Sequence, residues 1–429
     1  MKSMQPVYVA GSLRIPFAKS MTNYKNETRK ALLAATMKNL VFKYNLNGQI
    51  LGDVSLGCLM NGAADWNLAR ETVLETALHP ETPAYNLQRA CGTSLDATWQ
   101  IALKIAAGQI ETGIAGGVDT NSDLPIEVST RFQKILLEAN QAKTTGAMIK
   151  TFLNLRPSDL KPKPAAVVEP RTGLSMGDHC ELMVKEWGID RLSQDQLTLR
   201  SHQNAAAAYK NGFFTDLITP YAGIDKDQIV RADTTLEKLG KLKPAFDKRS
   251  GTGTLTAGNS SPLTDGSAAV LLTNAEGIKK NGWQALAKVV DFEVAAVDFV
   301  NGAGLLMAPT VAVSNMLLRN NLTFKDIDFF EIHEAFAGQV LCTLKAWESE
   351  KYCRDVLKRS SPLGSIPTEK INVVGSSVSI GHPFAATGAR IVGTLAKLLS
   401  TTKGKRGLIS ICTAGGMGVV ALLESSDIG

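Results

Sequence analysis

The strongest constraint on the fold of this chain is an internal repeat. "LLAATMKNLVFKYNLNGQILGDVSLGCLMNG" reads as helix, linker, strand and a turn carrying Cys58; "TVAVSNMLLRNNLTFKDIDFFEIHEAFAG" has the same order and lands on His333. A second pair follows. "RACGTSLDATWQIALKIAAGQIETGIAGGVDT" is turn, helix, linker, strand and glycines, and "SIGHPFAATGARIVGTLAKLLSTTKGKRGLISICTAGGMG" repeats it. The alignment sets Cys91 opposite His382, each at the mouth of a helix, and Gly116 and Gly117 opposite the Cys412 turn. A lone unit of this kind cannot cover its own apolar face, so two halves packed about a pseudo-twofold axis are expected. That packing would bring Cys91, His333, His382 and Cys412 toward one centre. The competing reading is a coincidental likeness between two βαβ units.

Short apolar runs ending in glycine or small polar residues ("PVYVAG", "GDVSLGCLMNG", "ETGIAGGVDT", "DIDFFEIHEAFA") alternate with amphipathic stretches. Strands alternating with helices make an α/β chain whose sheets are covered on both faces. The stretch from Leu124 to Ala257 does not follow the repeat and is richer in Lys, Pro and polar residues. It reads as an insertion in the first half. The expected units are 1–123 with 258–284, an inserted loop domain 124–257, and a second half 285–429.

The 429 residues, with 44% hydrophobic and 20% charged side chains, can bury a sizeable core. A net charge of +6 without a basic run interleaved with aromatics argues against nucleic acid and suits an anionic small-molecule substrate. Six scattered cysteines (58, 91, 180, 342, 353, 412) form no CxxC pair and no zinc-type cluster, so reduced thiols and no metal are expected. "MKSMQPVYVAGSLRIPF" lacks the apolar core of a signal peptide, and no stretch approaches a membrane span; the expected location is cytoplasmic.

Cys91 stands before Gly92 at a predicted helix N-terminus, where free N–H groups and the macrodipole favour an anion. The sequence therefore predicts a thiol of lowered pKa able to act as a nucleophile, with backbone N–H groups of the turn facing an oxyanion; the alternative is a small buried hydrophobe. His382 precedes Pro383 at a predicted helix start, and His333 ends an apolar strand. Two of only five histidines thus fall in matching strand-to-helix turns. Cys412 ends a strand before a glycine-rich turn that either admits a ligand close to backbone or is simply a β-turn. "GTGTLTAGNSSPLTDGSAAV" lacks the lysine arrangement of a P-loop and suits a cleft wall.

In their order, "RACGTS", "MGDHCE", "LKPAFD", "AGNSSPLTDGSAA", "HEAFAG", "GHPFAATGAR" and "CTAGGMG" resemble the thiolase family over nearly the whole chain. Ketoacyl synthases share the duplicated fold and the active cysteine but lack the late cysteine of "CTAGGMG". Most thiolases carry Asn where this chain has His333. "HEAFA", "GHPFAATGAR" and "FLNLRPSDLKPKPAAVVEPRTGLSMGD" look like the β-subunit of the trifunctional fatty-acid-oxidation complex and its bacterial counterpart. The resemblance implies a thiolase fold layered α-β-α-β-α, and CoA-dependent thiolysis of 3-ketoacyl-CoA through an acyl-Cys91 intermediate. Coenzyme A would be a substrate, with no bound cofactor. The alternatives are a biosynthetic acetoacetyl-CoA thiolase, a ketoacyl synthase, or a non-catalytic acyl-CoA binding protein.

By family position, His382 would activate Cys91, Cys412 would protonate the leaving enolate, and His333 would hold its thioester oxygen. The N–H groups of Cys91 and Ala414, with His382, would form the oxyanion holes. Met176, Arg231, Ser261 and Phe336 would line the CoA groove. The resemblance further implies a homodimer or dimer of dimers and a hydratase–dehydrogenase α-subunit as partner. In the insertion, Phe132, Ile135, Leu136 and Ala139, and then Met148, Phe152 and Leu155, recur at helical spacing among excess lysines. They predict either a helical pair over the CoA groove or a basic, amphipathic surface that docks a partner or makes peripheral contact with an anionic membrane.

Overall fold

The computed structural model describes residues 4–163 and 168–426. The chain ends bounding the first and last expected units, and residues 164–167 of the insertion, lie outside the described residues. The repeat becomes topology. The first half contributes β1 (Val7–Arg14), β2 (Ala18–Lys19), β3 (Asp53–Gly57), β4 (Ala84–Leu87), β5 (Thr112–Asp119) and β6 (Thr264–Thr273). The second contributes β7 (Ala287–Ala296), β8 (Phe329–Ile332), β9 (Arg406–Thr413) and β10 (Met417–Glu424). Strand order across the sheet is β4-β3-β5-β6-β1-β7-β10-β9-β8, with β2 beside β6. In each half a parallel pair (β3/β5, β8/β9) continues into two antiparallel neighbours (β6 and β1, β10 and β7). Even β4, parallel to β3, has a remnant counterpart: Ile371 bridges Phe330 of β8 in parallel. Within the sheet, the halves join where Val7–Val9 of β1 meets Ala287–Val289 of β7.

Layering follows from period-two alternation along strands buried on both faces. On β6, Val270 and Leu272 face the central core while Ala269 and Leu271 face an outer one. On β10, Val419, Ala421 and Leu423 face the centre while Val420 and Leu422 face the other outer core. Helix α1 (Arg29–Lys43) covers one outer face, and two helices, α2 (Thr93–Ala106) and one following His382, fill the centre.

The insertion leaves between β5 and β6. The equivalent link in the second half, β9 to β10, is only the turn Ala414–Gly416, with Gly415 and Gly416 at φ of 77° and 69°. Its longer helices are α3 (Thr130–Gln141), α4 (Thr145–Phe152), α5 (Met176–Glu186) and α6 (Arg191–Lys210). Each starts on a side-chain cap: Ser129, Thr144, Ser175 and Asp190 accept from the N–H groups of Phe132, Ala147, Asp178 and Ser193. Helices α3 and α4 pack mainly on each other and on the turn Pro157–Leu160. Only Ile135 and Ala139 of the expected apolar face are buried; Leu136, Met148 and Phe152 are exposed, because the eight-residue α4 covers a single stripe.

After α7 (Ala308–Arg319) and α8 (Ala337–Glu348) of the second outer layer comes α9 (Thr387–Thr401), which crosses α2 in the centre. A Cβ on Gly388 would stand 2.3 Å from the backbone nitrogen of Leu95. Gly388→Ala is therefore expected to part the helices that carry the central site, at about 1–3 kcal/mol for overpacking. A lowered melting temperature with reduced activity is the expected outcome; an unchanged melting curve would contradict this close contact.

Candidate active site

Cys91 lies in a tight turn, Ala90–Gly92, between β4 and α2. The turn is held by Thr93, whose hydroxyl donates to Ala90 O and accepts from Arg89 N. Ala90 sits at φ 44°, a strained value for a residue with a Cβ, which reorients the chain just before the thiol. On the other side of the centre, Gly381 at φ 112° delivers His382, whose backbone N–H donates to Thr264 Oγ1. The His382 ring is fixed at both nitrogens: Nδ1 lies 2.6 Å from Thr387 Oγ1, and Nε2 lies 3.2 Å from Cys91 Sγ. His382 precedes α9 by five residues, separated by Pro383 and the turn Phe384–Ala386. Pro383 thus caps that turn instead of opening the helix.

His333 leaves β8 with its N–H on Ser410 O and Nδ1 2.7 Å from Ser377 Oγ. Its Nε2 is buried without a partner, and its ring centroid is 4.1 Å from that of His382. One ring nitrogen of each histidine and the Cys91 sulfur lie within 4.8 Å of one another. Cys412, in β9, is buried in the apolar cluster that also holds Met176, Phe246, Ala335 and Phe336; burial, and then the nearby Cys91, raise its thiol. The structure therefore gathers all four residues that the repeat placed in register.

The electrostatics correct one expectation. Burial pushes the Cys91 thiol up to about 12, outweighing the N–H groups of Ala414 and Cys91 that pull it down. The helix mouth favours a thiolate, but here desolvation opposes it and is the larger effect. Burial, and then Arg390, hold His382 down to about 3; burial, His382 and Arg390 push His333 down as well. Cys412 is raised by burial and by Cys91. The resting centre is thus a neutral thiol against a neutral imidazole, so ionisation of Cys91 is coupled to proton transfer onto His382 Nε2.

The remaining expected residues divide. Met176 and Phe336 share the apolar cluster around Cys412, Ser261 N–H donates to Ala335 O, and Phe246 meets Phe336 edge to face. Arg231 is exposed and outside that cluster, its N–H on His202 Nδ1. Gly116 and Gly117 lie within β5, not at its end; a Cβ on Gly117 would strike Ala385 O at 2.3 Å. Sequence reading missed several supports. Asp119, at the true end of β5, accepts from Ala385 N, Leu59 N and the Cys58 thiol; burial pushes it up to about 6. Glu169 of the insertion accepts from Gly415 N, steadying the turn that presents Ala414. Glu334, next to His333, clamps Ser201, Asn372 and Val378 N. Thr387, five residues after His382, was the one legible signal, since a hydroxyl one turn on can reach the ring.

Comparison with known proteins bears on the family and the fold. The thiolase N-terminal domain pattern matches residues 7–276 and the C-terminal domain pattern residues 283–425. The chain is 39% identical to a 3-ketoacyl-CoA thiolase of Citrobacter koseri over 425 residues, 98% of this chain and 97% of that protein. It is also 39% identical to one of Yersinia pestis over 97% and 96% of the two chains. A Bacillus anthracis acetyl-CoA acetyltransferase superposes with TM-score 0.83 at 30% identity, covering 99% of this chain and 100% of that one. Human mitochondrial 3-ketoacyl-CoA thiolase gives 0.80 at 26%, covering 98% and 99%. The chain belongs to the thiolase family of acyltransferases and has the thiolase fold.

The ring anchor can be tested directly. Thr387→Val removes the partner of His382 Nδ1 while keeping shape. Alkylation of Cys91 by iodoacetamide at fixed pH, followed by peptide mass mapping, should slow about tenfold, since a hydrogen bond to a group becoming charged is worth about 1.5–3 kcal/mol. An unchanged rate would separate Thr387 from thiol activation.

Proposed function

We propose that this chain cleaves 3-ketoacyl-CoA with coenzyme A to acetyl-CoA and a shortened acyl-CoA, reversibly, in fatty-acid β-oxidation. The observation that carries this is the Cys91 Sγ–His382 Nε2 hydrogen bond of 3.2 Å, buried beside His333 and Cys412. Cys91 attacks the 3-keto carbon as its proton passes to His382 Nε2, and the oxyanion meets the Cys91 and Ala414 N–H groups. The Cα–Cβ bond then breaks; its electron pair forms an acetyl-CoA enolate whose oxygen is held by His333 and His382, and Cys412 gives the carbon a proton. CoA thiol, deprotonated by the Cys412 thiolate, next attacks the acyl-enzyme; Cys91 leaves as thiolate and recovers its proton from His382. A raised thiol suits Cys412, which must arrive protonated. Ala414 in place of the commoner glycine crowds the acyl site slightly. Dedicated acetoacetyl-CoA synthesis is the second reading, favoured by the likeness to the Bacillus anthracis enzyme; the full-length relatives named 3-ketoacyl-CoA thiolase favour degradation.

CoA enters as a substrate, with no bound cofactor, along Met176, Ser261, Phe336 and the exposed cation Arg231. The unit boundaries proposed are 1–123 with 258–284, 124–257 and 285–429. A cytoplasmic homodimer or dimer of dimers is proposed alongside; the six buried cysteines are all free, as a reducing compartment would leave them. Among the described residues no helix is long and apolar enough to cross a membrane. Exposed Leu136, Leu137, Met148, Ile149 and Phe152 on the α3–α4 hairpin support docking of a hydratase–dehydrogenase α-subunit.

Cys91→Ser should lose thiolysis of acetoacetyl-CoA while keeping the fold, and Cys412→Ala should lose about 10²–10⁴-fold yet still accept an acyl group on Cys91. Absorbance of the acetoacetyl-CoA enolate and intact-mass analysis read both. An acyl group trapped on any other cysteine, or a Cys412→Ala enzyme at full rate in both directions, would falsify these roles. Phe152→Asp with Leu155→Asp should leave thiolysis near the parent rate and weaken binding to such an α-subunit. Retained binding, or binding lost only to anionic vesicles, would remove the subunit from the hairpin.

A further inference from the structure

Beneath the two imidazoles lies a buried polar cluster that the mechanism above does not use: Arg390, Ser376, Ser377 and Glu331. Arg390, on α9 one turn beyond Thr387, donates from Nη2 to Ser377 Oγ at 2.7 Å and from Nη1 to Ser376 Oγ at 3.4 Å. Ser376 Oγ passes its own hydrogen to Ile332 O. Ser377 Oγ has one other partner, His333 Nδ1, at 2.7 Å. A guanidinium can only donate, so Ser377 accepts from Arg390 and keeps one hydrogen to give. Were His333 Nδ1 protonated, that hydrogen would be stranded in a side chain with no exposure, which costs more than a hydrogen bond yields. The polarity therefore runs one way, as it does at Ser376.

We propose that Arg390 and Ser377 are positioning residues that hold His333 as its Nε2–H tautomer, so that it presents a hydrogen-bond donor to the reaction centre. His382 must take the opposite tautomer: its Nε2 accepts from the Cys91 thiol, and its Nδ1–H donates to Thr387 Oγ1. Two neighbouring imidazoles thereby carry different tasks, one a base and one a donor, because one answers to a charged donor and the other to a neutral hydroxyl. The orphaned Nε2 of His333 is the donor awaiting a substrate oxygen. Glu331, on the same face of β8 two residues earlier, has both carboxyl oxygens unpartnered; burial pushes it up to about 8 against the pull of Arg390, and it does not compete for Ser377. The inference rests on the reading that His333 faces the enolate oxygen.

The test uses the full chain with histidine labelled in ¹⁵N; five histidines give a readable spectrum, and His333 is assigned by its loss in His333→Ala. The wild type should show His333 protonated at Nε2, and Ser377→Ala should show a mixture or the Nδ1–H form. The kcat for acetoacetyl-CoA thiolysis should fall at least about fivefold in Ser377→Ala, with KM little changed, and Arg390→Lys should retain more than Arg390→Met. In a His333→Ala background, Ser377→Ala should cost nothing further, whereas a merely structural serine would cost the same in both. Nδ1–H in the wild type, or equal losses in the two backgrounds, overturns the proposal. Should His333→Ala keep full activity while the wild type is Nε2–H, the relay stands and the catalytic reading of His333 fails.

Discussion

The molecule depends on the crossing of α2 and α9. Each central helix belongs to a different half, and each carries at its N-terminal side one partner of the Cys91–His382 hydrogen bond. Gly388 lets the backbones approach, and Ser94 Oγ accepts from Ala389 N at 2.7 Å across the contact. The pairing of β1 with β7 is too short to set the halves with the needed precision, so the packed helices must do it. Placement of reacting atoms is thereby tied to the same apolar layer that stabilises the fold.

Burying the centre has a chemical consequence. Neutral thiol and neutral imidazole are both favoured by desolvation, so the chain does not hold a standing thiolate in the dry core. What it holds instead is oriented hydrogen bonds, which cost no reorganisation when charge develops. Arg390 supplies the fixed positive field, and its buried position obliges the serines around it to accept. A neutral resting centre also leaves Cys412 protonated, the state that enolate quenching requires.

Much of this was legible in the sequence because the repeat is long and ordered. Cys58 and His333, Cys91 and His382 could be set in register from pattern alone, and strand order confirms the correspondence. The pKa of Cys91 was not legible, because it turns on burial by residues far along the chain, such as Val419 and Thr413 packed against Gly92. Nor were Glu169, Asp119 and Ser377, whose partners lie 246, 266 and 44 residues away. The exposed apolar side of α3 and α4 could be drawn as an amphipathic face, but not how little of it would be covered.

The two halves use equivalent slots differently. After β3, Cys58 gives its hydrogen to Asp119 at the end of β5, and Asp119 also takes N–H groups from Leu59 and Met60. After β8, His333 occupies the slot that matches Cys58, and no such closure occurs; His333 Nε2 is left unsatisfied. The first half closes its polar groups on one another and, through Asp119 and Ala385, braces the turn beyond His382. The second half leaves its groups open at the centre, supported from behind by Ser377, Thr387 and Arg390. A duplicated scaffold thus separates the two demands of a site, with satisfied hydrogen bonds for rigidity on one side and unsatisfied ones for chemistry on the other.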